Sequence, residues 1–133
     1  MQTKAILGLA EVNAILDAAQ REAETHHWNV AISVTDDSGE LLGLRRLDGA
    51  APMTAMISAQ KARSAALSHK ETQVFEEMIN GGRNAFLSAP LQGLMEGGVP
   101  VVVDGRVIGA VGVSGVKADQ DAQVAHASIA AVL

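Results

Sequence analysis

Four histidines, two closely spaced basic pairs and a serine between glycines are the side chains with the most chemistry in this sequence. His26 and His27 are adjacent and precede Trp28, while His69 and His126 stand alone. Lys61 and Arg63 fall in an alanine-rich stretch, and Arg45-Arg46 leads into Leu47-Asp48. Ser114 belongs to Gly112-Val113-Ser114-Gly115-Val116-Lys117, with Asp119 and Asp121 just beyond and Glu96 upstream.

A zinc site takes three or four ligands, and these histidines form neither an HExxH run nor any i, i+4 pair, so a multi-histidine metal centre is not expected. The absence of cysteine removes disulfides, thiolate metal sites and a cysteine nucleophile together. One neutral imidazole is nonetheless enough to serve as an axial ligand to haem iron. His26 or His27, at a helix end beside Trp28, is the first candidate for that role and His69 the second; the plainer reading of each is a surface or helix-end residue.

Around Ser114 the nucleophile-elbow pattern fails, because Val116 stands where the motif requires glycine and the strand leading in is antiparallel. Ser114-Gly115-Val116-Lys117 does run into a helix start and carries a lysine. It reads first as a tight strand-to-helix connection and second as a cradle for a carboxylate or propionate. Gly97-Gly98 precedes a strand and lacks the helical amides that hold phosphate. Lys61 and Arg63 suit either a solvated helix face or contact with an anionic ligand, and Arg45-Arg46-Leu47-Asp48 reads as a strand-end ion-pair cluster. Asp119 reads as a helix cap and Asp121 as a first-turn acid favoured by the helix dipole, rather than as an acid–base couple.

The elements that must position these groups follow from periodicity. Leu9, Val12, Leu16, Ala19 and Ala23 recur at helical spacing over residues 9–26. Val30, Ile32 and Val34 alternate as a strand half-buried on one face; Asp36-Asp37-Ser38-Gly39 turns it, and 41–47 returns as the second arm of a hairpin. Residues 52–67 form a helix with proline in its first turn, and alanines at 55, 59, 62, 65 and 66 permit close packing. A short helix ending at Asn80-Gly81-Gly82 takes Ser68 or Thr72 as its cap, and a short edge strand is expected around 91–95. Gly97 to Gly115 holds two Val/Ile-rich arms joined by Asp104-Gly105, a pair suited to a two-residue type I′ turn. Glycines at 109 and 112 imply that a helix, a subunit or a flat ligand comes close to that strand. Asp119 then caps a last helix to the C-terminus.

Hairpins with interleaved helices imply an α+β domain with an antiparallel sheet, and 133 residues suffice for one domain spanning 1–133. The aromatic share is 2%, Trp28, Phe75 and Phe86 alone, so the core must be aliphatic and alanine-rich. A net charge of −5 without a basic block argues against a nucleic-acid or anionic membrane surface. No window reaches the roughly 18 apolar residues of a spanning helix. The first ten residues pass into helix without a cleavage-like segment, which predicts a cytoplasmic protein.

Together, Arg46-Leu47-Asp48-Gly49-Ala50, Gln60-Lys61-Ala62-Arg63-Ser64-Ala65, Gly97-Gly98-Val99-Pro100, Asp104 to Gly115 and Gln120-Asp121 resemble the GlcG/HbpS family of haem-binding proteins, which includes the C-terminal domain of PduO-type proteins. The resemblance covers nearly the whole chain. It implies a profilin-like α+β sandwich, a central antiparallel sheet with the long N- and C-terminal helices packed together, and assembly into homo-oligomers. It also implies haem or corrinoid binding, with haem storage or breakdown as the associated roles, and places Lys61, Gly97 to Pro100 and Asp121 at recurrent positions. The arrangement expected is a tetrapyrrole near the first helix end, His26 or His27 on iron, and Lys61 or Arg63 near the propionates. The alternatives are an enzyme that binds a small carboxylate through Lys61, Arg63 and Asp121, and an oligomeric scaffold without catalysis.

Overall fold

A computed structural model describes residues 1–133 as α1 (Leu9–Thr25), β1 (Ala31–Asp36), β2 (Leu41–Arg46), α2 (Met53–Ser68), α3 (Thr72–Asn80), a 3-10 turn (Asn84–Ser88), β3 (Gly98–Val103), β4 (Arg106–Ser114) and α4 (Ala118–Val132). The four strands form one antiparallel sheet in the order β2-β1-β4-β3. Asp104 and Gly105 have φ of 51° and 74°, the two positive values of a type I′ turn, and they set the β3–β4 register.

Strand alternation divides the sheet residues between two helical layers. Ile32, Val34, Val99, Val111 and Val113 join Val12, Ile15, Leu16, Ala19 and Ala23 of α1 and Val124 and Ala125 of α4 in the main core. The opposite face meets α2 through Ala62, Ala65, Ala66 and Ala110, a contact made almost wholly of small residues. Gly112 shows how close it is: a Cβ there would fall 2.1 Å from the Ser58 carbonyl oxygen and 2.6 Å from the Ala62 nitrogen. A helix, rather than a ligand or subunit, therefore accounts for this glycine. Buried Ser33 and Ser58 satisfy each other across the same contact at 2.7 Å.

This is the α+β sandwich the resemblance implies, with several local differences. Leu9 is exposed and Ile15 takes its place in the core, because the buried stripe of α1 faces the sheet one step further round. β1 is buried on both faces, since Ala31, Ser33 and Thr35 lie under α2. No strand forms at 91–95; those residues cross α2 as an irregular segment held by Ser64 Oγ donating to the Gln92 carbonyl. α3 has no side-chain cap: Thr72 Oγ1 accepts the Gly98 N–H at 2.8 Å and donates to the Met95 carbonyl, tying α3 to the start of β3. Lys117, not Asp119, occupies the N-cap of α4. No helix is long and apolar enough to cross a membrane.

Candidate functional site

α1 ends in a Schellman arrangement. The Trp28 N–H donates to the Ala23 carbonyl at 2.8 Å, the His27 N–H donates to Glu24 at 3.1 Å, and the residue between the helix and the exit is left-handed. That residue is His27, with φ of 59°, at a position glycine usually fills. A non-glycine side chain held there costs on the order of 1–2 kcal/mol, and such outliers cluster at functional sites. The neighbouring His26 is differently employed. Its ring stacks on Trp28 with centroids 4.4 Å apart, and its Nε2 lies 3.2 Å from Glu22 Oε1 and 3.3 Å from Gln123 Nε2.

His27 and Trp28 line an open groove of about 880 Å³, whose other wall is the end of β2 with Arg45, Arg46 and Leu47. The hairpin register brings these walls together, since the Leu47 N–H donates to the Val30 carbonyl at 2.9 Å and Arg46 pairs with Ala31. Arg45 is tied to α1, its Nη1 2.7 Å from Asp17 Oδ1 and 3.1 Å from Gln20 Oε1. Arg46 and His27 are exposed to the groove without a side-chain partner. The groove thus presents a free imidazole, a free guanidinium and an indole, with the carboxylates of Glu24 and Asp48 also on its lining, a set that suits a planar ligand whose own carboxylates are met by Arg46.

The remaining sequence candidates lie elsewhere. Lys61 is buried, its Nζ 2.9 Å from the Val113 carbonyl and 3.1 Å from Asp121 Oδ2. Asp121, read from sequence as a first-turn acid favoured by the helix dipole, is also buried, and its Oδ1 accepts the Val116 N–H at 3.1 Å. Burial pushes the Asp121 carboxyl above its ordinary value, while the Lys61 ammonium and the Val116 amide pull it down. The cradle at Ser114-Gly115-Val116-Lys117 is accordingly filled by the chain itself. Asp121 takes the Val116 amide, Gln120 Oε1 accepts the Lys117 N–H at 3.3 Å, and a Cβ on Gly115 would strike the Asn29 carbonyl oxygen at 2.4 Å. Arg63 is exposed and 3.3 Å from Glu40. His69 ends α2 in the left-handed conformation, φ 61°, between two hollows beside β3. The α1 groove contains none of Lys61, Arg63, His69, Ser114 or Gly115. No three His, Asp or Glu side chains converge on a point that could hold a metal ion.

Arg45 and Arg46 were legible in sequence only as an ion-pair cluster. Their place beside His27 follows from counting back through the Asp36–Gly39 turn, which sets 45–47 against 30–32.

Residues 7–130 match the family model described as haem degrading protein HbpS-like. The chain is 57% identical over 114 residues to protein GlcG of Escherichia coli K12, covering 86% of this chain and 85% of that one. Its fold matches the crystal structure of Klebsiella pneumoniae protein ORFY with a TM-score of 0.90 at 29% identity, over 99% and 94% of the two chains. It also matches the PduOC–haem complex with a TM-score of 0.84 at 25% identity, over 96% of each chain. The sandwich, the extent of the match and the identity to GlcG together place this chain in the HbpS-like family.

Proposed function

We propose that this protein binds haem in the groove between the end of α1 and the end of β2, and that it holds haem in storage as a homo-oligomer. The observation that carries the reading is His27, an unpartnered imidazole held in a left-handed conformation at the edge of that groove. The residues fit the group. The His27 imidazole would ligate the iron, Arg46 would offer a cation to a propionate, and Trp28 and Leu47 would give the ring an apolar wall. Bound haem would bring the iron chemistry; the chain's residues bind and orient it. The solved PduOC–haem complex, which shares this fold over nearly the whole chain, supports the choice of ligand.

Self-association is supported by apolar residues left open at the free edge of the sheet. Leu41, Leu42 and Leu44 of β2 are exposed, with Met53 and Met56 of α2 exposed as well, whereas soluble monomers rarely leave such side chains clustered.

A haemin titration of the purified protein, followed in the Soret region, tests the reading. Saturation at one haem per chain is expected, with His27→Gly abolishing the ligated spectrum and His26→Ala leaving it in place. An unsaturable rise, or an identical spectrum and affinity in His27→Gly, overturns it.

A further inference from the structure

On the opposite edge of the sheet, His69 and Val102 are shared by two adjoining hollows. One, of about 710 Å³, lies over the β3–β4 turn and includes Lys4 and Arg106. The other, of about 490 Å³, is walled by Val99, Pro100 and Ile129, with His126 at its rim. Neither shares a residue with the groove at the end of α1.

Charge is distributed unevenly along this channel. Lys4 is neutralised by Asp37, and His126 Nε2 lies 2.7 Å from Glu71 Oε1. The guanidinium of Arg106 has only a neutral partner, the Gln2 carboxamide oxygen at 3.2 Å, and no Asp or Glu lines its hollow. Between the two ends, Val102 is 53% exposed, an uncovered apolar side chain on a strand.

The edge is poorly suited to an added strand. Pro100 has no N–H to offer, and the outward Gly98 N–H is already taken by Thr72 Oγ1. A small amphipathic molecule suits the channel instead, with its charge at one end and hydrocarbon along the rest.

We propose that this channel binds an apolar monocarboxylate, its carboxylate on Arg106 and its hydrocarbon chain over Val102, Pro100 and Ile129. His69 stands beside both parts of the ligand, at the junction of the two hollows. The arginine provides charge-assisted, two-point recognition of the carboxylate, and the valine and proline surfaces provide the area removed from water.

Titration of the full chain with dansylated undecanoic acid, followed by dansyl emission, tests this site. Saturable binding is expected, and Arg106→Gln, Val102→Asp or replacement of the probe's carboxylate by its amide each weakens it about tenfold, one step of 1.4 kcal/mol. His27→Gly leaves the probe's affinity unchanged, which separates this site from the proposed haem groove. Val102 is exposed and Arg106 is half-buried with only the Gln2 side chain as a partner, so both variants are expected to keep the parent's circular dichroism and melting curve. Unsaturable emission, equal affinity in Arg106→Gln and Val102→Asp, or loss of binding in His27→Gly overturns the proposal.

Discussion

The Lys61 ammonium lies 3.1 Å from Asp121 Oδ2, and the two side chains are 3% and 4% exposed, so α2 and α4 are joined by an ion pair almost removed from water. Each charge keeps further hydrogen bonds, Lys61 to the Val113 carbonyl and Asp121 to the Val116 amide, which offset the loss of hydration. Gly97 closes over the pair: its φ is 130°, and a Cβ there would stand 2.7 Å from the Val113 carbonyl oxygen and 2.8 Å from the Lys61 nitrogen.

Removing one partner should therefore cost much more than removing both. Asp121→Asn leaves the ammonium buried without its counter-charge and is expected to lose about 3–5 kcal/mol in urea unfolding. Lys61→Met is expected to lose a similar amount, while Lys61→Met combined with Asp121→Leu loses less than either single variant. Additive losses, or a cost below about 1 kcal/mol for Asp121→Asn, would show that the pair is not coupled as the geometry indicates.

Close packing of α2 on the sheet gives a second expectation. Gly112→Ala places a methyl group against the Ser58 carbonyl and the Ala62 nitrogen, both backbone atoms that cannot rotate away. A loss of about 1–3 kcal/mol or more is expected, read as a lower melting temperature with an unchanged urea m-value. A melting temperature equal to that of the parent would mean that α2 can lift from β4 at little cost.

These two cases show what the sequence could and could not convey. Gly112 was legible because a glycine inside a β pattern signals close approach, and the Asp104-Gly105 turn was legible because its residues are those that a type I′ turn demands. Asp121 was not, because a carboxylate in the first turn of a helix satisfies the dipole equally well in solvent, and its partner lies sixty residues away. β1 was misread as half-buried since Ala31, Ser33 and Thr35 are polar or small, and only the arrival of α2 covers them. At the site, His27 was visible as a histidine at a helix end, but its left-handed backbone depends on how α1 closes and the nearness of Arg46 on hairpin register.

His27 itself offers a test of strain kept for function. Glycine adopts φ of 59° freely, so His27→Gly is expected to raise stability by about 1 kcal/mol even as it removes the proposed iron ligand. His27→Ala retains the left-handed cost and should show no such gain. Urea unfolding of the two variants beside the parent checks this; equal stability of His27→Gly and His27→Ala would remove the strain argument.

Glu96 supplies the pH dependence. Burial raises its carboxyl above the ordinary value, with Glu76, Asp119, Glu71 and Glu77 adding repulsion in the same direction. A raised value in the folded state means that the folded chain keeps this proton where the unfolded chain has released it. Stability therefore falls as pH rises from the ordinary glutamate range through the raised value, and the penalty is complete above it. Glu96→Gln is expected to melt higher than the parent at pH 7, and the gap should close on acidification toward about pH 3, below the ordinary glutamate value, where Glu96 is protonated in both states. Added salt should narrow the gap at pH 7 by screening the four neighbouring carboxylates. Melting curves across that pH range decide the point: a gap that stays constant from about pH 3 to pH 7 would show that Glu96 carries no penalty of ionisation.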